Sequence, residues 1–407
     1  MSYNTDILIV GGGLNGPALA LALASTGQSV TVVDALPRDM RADPEFDGRA
    51  YALALASIRV LDGIGLWSHV ADHAQPMLKI VASDGRAGEG AAPFFLAFDH
   101  AEIEEGPMGH MLEDRYLRPA LLAAMDAAGI TQLSGETVVA QTVDERAATV
   151  QLASGRSLRA RLLVGCDGRD SGTAARAGIR RTGWDYGQTG LVCAVEHDLP
   201  HHGTAHQFFM PPGPLAILPL PGNRSSIVWS ETTKRAAEIA AMGDAAYLDV
   251  LRPRFGDFLG DIALAGKRYA YPLKLTIANQ FIAPRLALVG DAAHGMHPIA
   301  GQGFNFGLRD IAALAEVIAD AARRGEDIAS PLVLERYQQW RRFDTMVMAV
   351  GTDSVNRLFS NDNPLLRGIR DIGLGVVNAV PALRRASIRE AAGLTGDLPR
   401  LMRGLPI

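Results

Sequence analysis

Ile7-Leu8-Ile9-Val10-Gly11-Gly12-Gly13-Leu14-Asn15-Gly16 carries the decision on fold. Four apolar residues in succession read as a strand buried on both faces. Gly11, Gly13 and Gly16 fall on the G-x-G-x-x-G spacing, and Leu19 to Ala24 continues as a helix. A second strand, Ser29 to Val33, ends in Asp34. Gly11 permits the tight turn, Gly13 lets a pyrophosphate approach bare backbone, and Gly16 lets helix and strand pack closely. Asp34 stands about 20 residues on, where an acid takes a ribose hydroxyl. Strand, glycine turn, helix and acid in that order predict a dinucleotide site in a Rossmann-like α/β domain. The pattern alone does not separate NAD from FAD.

Two distant stretches extend the reading. Leu286 to Val289 is a short apolar run that leads into Gly290-Asp291-Ala292-Ala293-His294. After it come His297-Pro298-Ile299-Ala300-Gly301-Gln302-Gly303-Phe304-Asn305-Phe306-Gly307-Leu308-Arg309-Asp310 and the helical periodicity of Ile311 to Arg323. A strand ending in an acid, then a glycine-rich turn opening a helix, puts a carboxylate beside a sugar hydroxyl and bare N–H groups beside an anion. A flavin needs both, because its ribityl chain carries hydroxyls and its reduced ring carries negative charge. The other stretch is Leu162-Leu163-Val164-Gly165-Cys166-Asp167-Gly168, a strand running into an Asp-Gly turn, with Arg169, Ser171 and Arg176 beyond it.

Together these three motifs resemble the class A flavoprotein aromatic hydroxylases, which carry an N-terminal FAD fingerprint, a central Asp-Gly motif and a C-terminal Gly-Asp motif. The run His297 to Asp310 is more specifically similar to the signature of the ubiquinone-biosynthesis hydroxylases. Asp47-Gly48-Arg49-Ala50-Tyr51-Ala52-Leu53 resembles the family's Asp-x-Arg segment near the flavin. The similarity runs from about Ile7 to about Asn361. Asp34 departs from the Glu common at its place, and Phe306 stands where an aliphatic residue is frequent.

The resemblance implies an FAD-dependent monooxygenase in which NAD(P)H, or a redox-protein donor, reduces the flavin. A flavin C4a-hydroperoxide formed with molecular oxygen then hydroxylates an electron-rich ring, and no catalytic triad is needed. It implies backbone N–H groups of Gly301, Gln302, Gly303, Phe304 and Asn305 beside the flavin where negative charge develops. Pro298 would fix the approach of this loop to the ring, and Gly290 and Asp291 would reach the ribityl chain. Arg49 would sit near the pyrophosphate or the isoalloxazine, and Arg115 at a cofactor-contacting helix start. Asp167 either touches FAD or caps a helix and shapes its loop. His294 and His297 invite a metal reading, but no third ligand lies at a suitable spacing, so no metal is expected. They read instead as groups that satisfy backbone or line the flavin edge. Trp229, Phe208, Phe209 and Tyr271 read as sheet core before they read as cavity lining.

The substrate implied is a polyprenylated phenol in ubiquinone biosynthesis. Other readings are a hydroxylase of a small soluble aromatic, a flavin-binding assembly protein without turnover, and an NAD-dependent dehydrogenase, which leaves the Gly-Asp motif unexplained. A formal net charge of −5 argues against a nucleic-acid partner. Two cysteines, Cys166 and Cys193, suit a reducing compartment. The start, Met1 to Asp6, shows no basic segment of a signal peptide, and no apolar stretch of about 18 residues spans a membrane. The expected place is the cytoplasm, at the inner face of the membrane, with peripheral contact to lipid or to a ubiquinone-biosynthesis complex.

Texture along the chain predicts four parts. Residues 1–181 are the first part of the FAD domain, with 80–99 an outlying hairpin of the substrate domain. Residues 182–284 are a β-rich substrate domain with strands at Leu191–Glu196, Ala205–Met210, Ala216–Leu220 and Ser226–Ser230. Residues 285–360 complete the FAD domain, with a helix over Leu332–Ala349, and 361–407 form a helical C-terminal region. There, Asn363-Pro364 starts a helix reaching about Val380, with Leu365, Ile369, Ile372, Val376 and Val380 on one face. That face either packs on its own domain or meets a membrane or partner.

Overall fold

The three apolar runs meet side by side. In the computed structural model, which describes residues 3–88, 90–295, 302–359 and 377–407, Thr5–Val10 lies between Val30–Asp34 and Ser157–Gly165, parallel to both. Leu286–Leu288 extends the sheet beyond Ser157–Gly165, and Thr131–Ser134 extends it beyond Val30–Asp34, again in parallel. An edge strand, Ile282–Ala283, and the hairpin Val138–Val143 with Ala148–Leu152 join it antiparallel. Ile7, Ile9, Leu162 to Val164 and Leu286 to Leu288 are buried, as continuous apolar runs in a parallel sheet require. They share one core with the helices Asn15–Ala24, Asp114–Ala127 and Gln302–Arg323.

Register makes this sheet useful. Val10 stands opposite Val33 and Gly165, and Gly165 opposite Leu288. The carboxyl ends of four strands are therefore level. The Gly11–Gly13 turn, the Cys166–Gly168 turn and the Gly290–Asp291 turn all leave from this one edge, where open parallel sheets bind ligands.

A second sheet of eight strands runs in the order His294–Gly295, Ile262–Ala278, Arg181–His197, Arg224–Thr232, Gly213–Leu220, Thr204–Met210, Lys79–Arg86 and Gly90–Asp99. The hairpin over 79–99 thus joins the later strands, pairing in parallel with Thr204–Met210. Arg181–His197 and Ile262–Ala278 are 17 residues each and pair along their length. The sequence reading found only part of the first and none of the second. The reason is visible in burial: Ala270, Tyr271 and Pro272 are exposed in succession, so Ile262–Ala278 has no period-two pattern to read.

One face of this sheet packs its Phe208, Met210 and Trp229 against the helices Thr233–Ala240 and Asp244–Phe255. The other face turns toward a small antiparallel sheet of Ala50–Ala54, Gln75–Met77 and Gly109–Glu113, with Met111, Ala205 and Leu220 between them. Tyr271 lies in neither core and is exposed, stacked on Tyr269.

The helix Pro331–Phe359 is longer than expected and ties back to the first sheet through Tyr337, whose buried hydroxyl donates to the Leu288 carbonyl at 2.7 Å. A last helix spans Pro381–Ala391. The apolar helix expected from Pro364 lies outside the described residues as far as Val376. No described helix is long and apolar enough to cross a membrane.

Candidate cofactor and active site

The glycine turn divides its labour cleanly. Gly11 has φ +109°, and a Cβ built there would lie 2.3 Å from the Cys166 carbonyl oxygen. A Cβ at Gly16 would lie 1.8 Å from the Gly11 oxygen, and one at Gly12 would lie 2.3 Å from the Arg41 guanidinium. These three glycines are demanded by the protein's own packing. Gly13 is different: a Cβ there meets nothing within 4 Å. It faces a cleft of about 440 Å³ shared with Asp34, Leu36, Asp167 and Arg176. A glycine with space before it, on the ligand edge of a parallel sheet, fits the close approach of a pyrophosphate.

Asp34 closes one side of the cleft. Its carboxylate accepts from the Gly12 amide at 2.5 Å and from the Leu36 amide at 2.8 Å. Behind it lies Arg41, only 3% exposed, which the sequence reading missed. Arg41 donates to the Gly12 carbonyl and to the Ser134 hydroxyl, with its Nε 3.7 Å from Asp34. Burial pushes the Arg41 pKa down, Asp34 opposes that, and Arg118 and Arg38 add to it. Arg176, which in sequence merely follows the Asp-Gly turn, also reaches this cleft. It donates to Gln141 at 3.2 Å and supplies a cation to the cleft wall.

Asp167 is occupied as a cap. Its two oxygens accept from the Ser171 hydroxyl at 2.5 Å and from the Thr173 amide and hydroxyl at 2.9 and 2.8 Å. It thereby positions the loop that lines the cleft.

The C-terminal signature is fastened to the N-terminal one by Asn15. A Cβ at Gly290 (φ +63°) would lie 2.2 Å from the Asn15 amide nitrogen, and one at Gly307 would lie 2.1 Å from its oxygen. Two signature glycines therefore make room for one side chain of the first motif. Below them Asp310, fully buried, accepts from the Gly290 amide at 2.9 Å, His294 Nε2 at 2.6 Å and Arg341 Nε at 2.7 Å. His294 thus partners a carboxylate through Nε2. His297 lies outside the described residues. Asp291, about a third exposed, accepts from Arg169 at 3.2 Å, and its carbonyl accepts from Arg181 at 2.7 Å.

Gln302 and Gly303 open the helix Gln302–Arg323, and a Cβ at Gly303 would meet nothing within 4 Å. Pro298 and Gly301 lie outside the described residues. The Phe304 ring is buried near Tyr51, with centroids 6.0 Å apart. Asn305 clips the small sheet: its amide donates to the Ala52 carbonyl at 2.8 Å and its oxygen accepts from the Ala54 amide at 2.9 Å.

Arg49 pairs with Asp47 at 2.7 Å and Asp114 at 3.1 Å. Burial works against its charge, but Asp114 and Asp47 more than offset that and raise its pKa. Arg115 is not brought to the cleft of the glycine turn. Its Nε donates to the buried Glu113 at 2.7 Å, and its guanidinium lies over Phe46 and Tyr116. Glu113 also accepts from Arg224 at 2.7 Å, so Arg115 belongs to a bridge between the small and the second sheets. No group of three or more His, Cys, Asp or Glu suited to a metal occurs among the described residues.

A parallel sheet whose ligand edge gathers a glycine turn, two acids and a helix start defines a dinucleotide-binding protein. The family profile described as FAD binding domain matches residues 4–349, and the chain belongs to this family of FAD-dependent aromatic monooxygenases. Within it, the chain is 45% identical to Ubiquinone hydroxylase UbiL of Rhodospirillum rubrum, over 99% of this chain and 93% of that one. It is 36% identical to 3-demethoxyubiquinol 3-hydroxylase of Escherichia coli, over 96% and 99%. Among solved structures, p-nitrophenol 4-monooxygenase PnpA from Pseudomonas putida shares the fold at a TM-score of 0.79 and 21% identity, with 97% of this chain and 99% of that one covered.

Proposed function

We propose that this chain hydroxylates the aromatic ring of a polyprenylated phenol in ubiquinone biosynthesis. One observation carries the reading: an apolar cavity of about 190 Å³ between the second and small sheets, walled by Ala52, Met77, Phe98 and Phe209 and reaching Asn305 of the signature helix. A cavity of roughly 150 Å³ accepts a benzene ring, so this one has room for one substituted ring, and a polyprenyl tail must leave it. The relatives named as ubiquinone hydroxylases support the same substrate class. In this reading residues 1–181 and 285–360 form the FAD domain, 182–284 with the hairpin over 80–99 the substrate domain, and 361–407 a helical C-terminal region.

When bound and reduced by NAD(P)H or a redox-protein donor, FAD supplies the activation of molecular oxygen. The chain's residues bind, orient and exclude water. Gly13 would admit the pyrophosphate to a turn held by Gly11 and Gly16, and Asp34 would accept from a ribose hydroxyl. Asp291 accepts from a ribityl hydroxyl. The N–H groups of Gln302, Gly303 and Phe304 face the developing anion at a helix start. Asn305 holds the Ala50–Ala54 strand, a cavity wall, against that helix. The apolar lining keeps water from the reacting ring. A strain lacking the protein should accumulate a polyprenyl phenol short of one ring hydroxyl. An unchanged quinone profile would refute the assignment.

Two further outcomes belong to this reading. Asp291→Ala should weaken FAD by about 1.5–3 kcal/mol, the range for a hydrogen bond to a charged group, on titration of apoprotein. Unchanged affinity would leave Asp291 only its pairing with Arg169. The second concerns lipid. Phe343, Val347 and Val350, at i, i+4 and i+7 of Pro331–Phe359, are 74, 56 and 62% exposed, which supports peripheral contact with the inner face of the membrane. The net charge of −5 gives no general attraction to anionic lipid, so apolar contact must carry it. Phe343→Asp with Val350→Asp should abolish co-sedimentation with liposomes and leave FAD content intact. Undiminished co-sedimentation would move the contact elsewhere, and liposome-independent recovery with partner proteins would favour a biosynthetic complex.

A further inference from the structure

The strand Thr204–Met210 alternates its side chains across the second sheet. His206 and Phe208 pack on Phe258 from one face, with ring centroids 4.6 and 6.3 Å away. Ala205, Gln207 and Phe209 fall on the other, along the apolar cavity, whose lining His206 also joins from between them. Gln207 is the polar member of that face. Its amide nitrogen is buried and has no hydrogen-bond partner among the described residues. Its cross-strand neighbours are Ala216 and Ala82, too small to fill the space around it and without a side-chain acceptor. A buried donor left unmade is costly, and such groups in native structures point to something that completes them. The other amide at the cavity, Asn305, is already spent on the backbone of Ala52 and Ala54.

We propose that Gln207 is a positioning residue that donates its amide N–H to the hydroxyl oxygen of the bound phenol. The donor selects which edge of the ring carries the hydroxyl, and with it the carbon presented toward the signature helix. The exit of the tail fixes the ring's long axis, but apolar walls alone do not choose between the two poses related by a flip about that axis, because they make nearly the same apolar contacts. The inference rests on the aromatic-hydroxylase reading but not on the polyprenyl tail.

The test uses FAD-loaded protein and two short probes, ortho-prenylphenol and prenylbenzene, which lacks the hydroxyl. Binding is followed by perturbation of the flavin absorbance. Wild type should bind the phenol about tenfold more tightly, the yield of one buried hydrogen bond. In Gln207→Leu the two probes should bind within about twofold of each other, because the phenol weakens and prenylbenzene does not. Hydroxylation of the phenol should then spread over more than one ring carbon, which a merely structural role for Gln207 would not cause. Gln207→Met, unbranched and similar in length, gives the same readouts should the leucine variant fail to fold. Tenfold discrimination surviving in a loaded variant, or a wild type that hydroxylates the phenol with no discrimination, would overturn the role of Gln207. A loaded wild type that binds and hydroxylates neither probe nor a long-chain phenol would overturn the hydroxylase reading itself.

Discussion

Gly13→Val should fold as the wild type does and be purified without flavin. The asymmetry follows from the turn. Gly13 is not in the left-handed region, and a Cβ there meets no protein atom within 4 Å. The first carbon of a side chain there therefore meets no protein atom, and the branches of valine fill the space that the pyrophosphate needs. Flavin occupancy, read as the ratio of flavin to protein absorbance, should fall by at least about tenfold, since an added side chain removes close backbone approach altogether. The circular dichroism spectrum should not change. Gly16→Val is the contrasting variant. Its Cβ would stand 1.8 Å from the Gly11 oxygen, so it should lose structure and flavin together. Full flavin occupancy in Gly13→Val would show that the cofactor lies elsewhere.

Asp310→Ala should cost about 3–5 kcal/mol of stability in urea unfolding, the usual result of removing one partner of a buried ion pair. Arg341 is 1% exposed and His294 2% exposed. Both would lose the carboxylate that balances them, and the Gly290 amide would lose its acceptor. Arg341 keeps Asp344 at 2.9 Å, which limits the damage. A loss under about 1 kcal/mol, typical of an exposed pair, would mean that the network does not hold the signature turn.

Acid gives an independent check. Burial pushes the Asp310 carboxyl up, but His294 and Arg341 outweigh it and hold its pKa below the ordinary value. A carboxyl depressed on folding contributes stability above its unfolded pKa, about 3.9. That contribution is lost as pH falls through the lower folded value. Asp310's own titration should therefore leave the advantage of wild type over Asp310→Asn level down to about pH 5 and erode it only in stronger acid.

The parallel sheet was legible because strands buried on both faces leave uninterrupted apolar runs, as at Ile7–Val10 and Leu162–Val164, and because glycine spacing is a local property. The same locality made Asp34 and Gly13 visible. What escaped depends on contacts between distant residues. Arg41 reaches Gly12 across 29 positions and Ser134 across 93, and no spacing rule announces it. His294 finds Asp310 16 residues away, and Arg341 finds it across 31. Only the fold shows that a histidine in a flavin signature faces a buried carboxylate. Arg115 stands at a family-like position and pairs with a carboxylate two residues back, at the end of a buried strand. Gln207 was invisible for a simpler reason: one glutamine in a short strand looks like any solvent-facing residue until the strand's other neighbours are known.

In the function proposed above, this chain inserts one atom of molecular oxygen into the ring of a prenylated phenol, using FAD seated on the edge of the first sheet. The most direct measurement is turnover of FAD-loaded protein with a polyprenyl phenol and NAD(P)H, or a chemical reductant of flavin, under isotopically heavy oxygen gas in ordinary water. The expected product has one added ring hydroxyl that carries the heavy isotope. A product whose new oxygen comes from water, or flavin reoxidation with no hydroxylated ring at any substrate concentration, would contradict it.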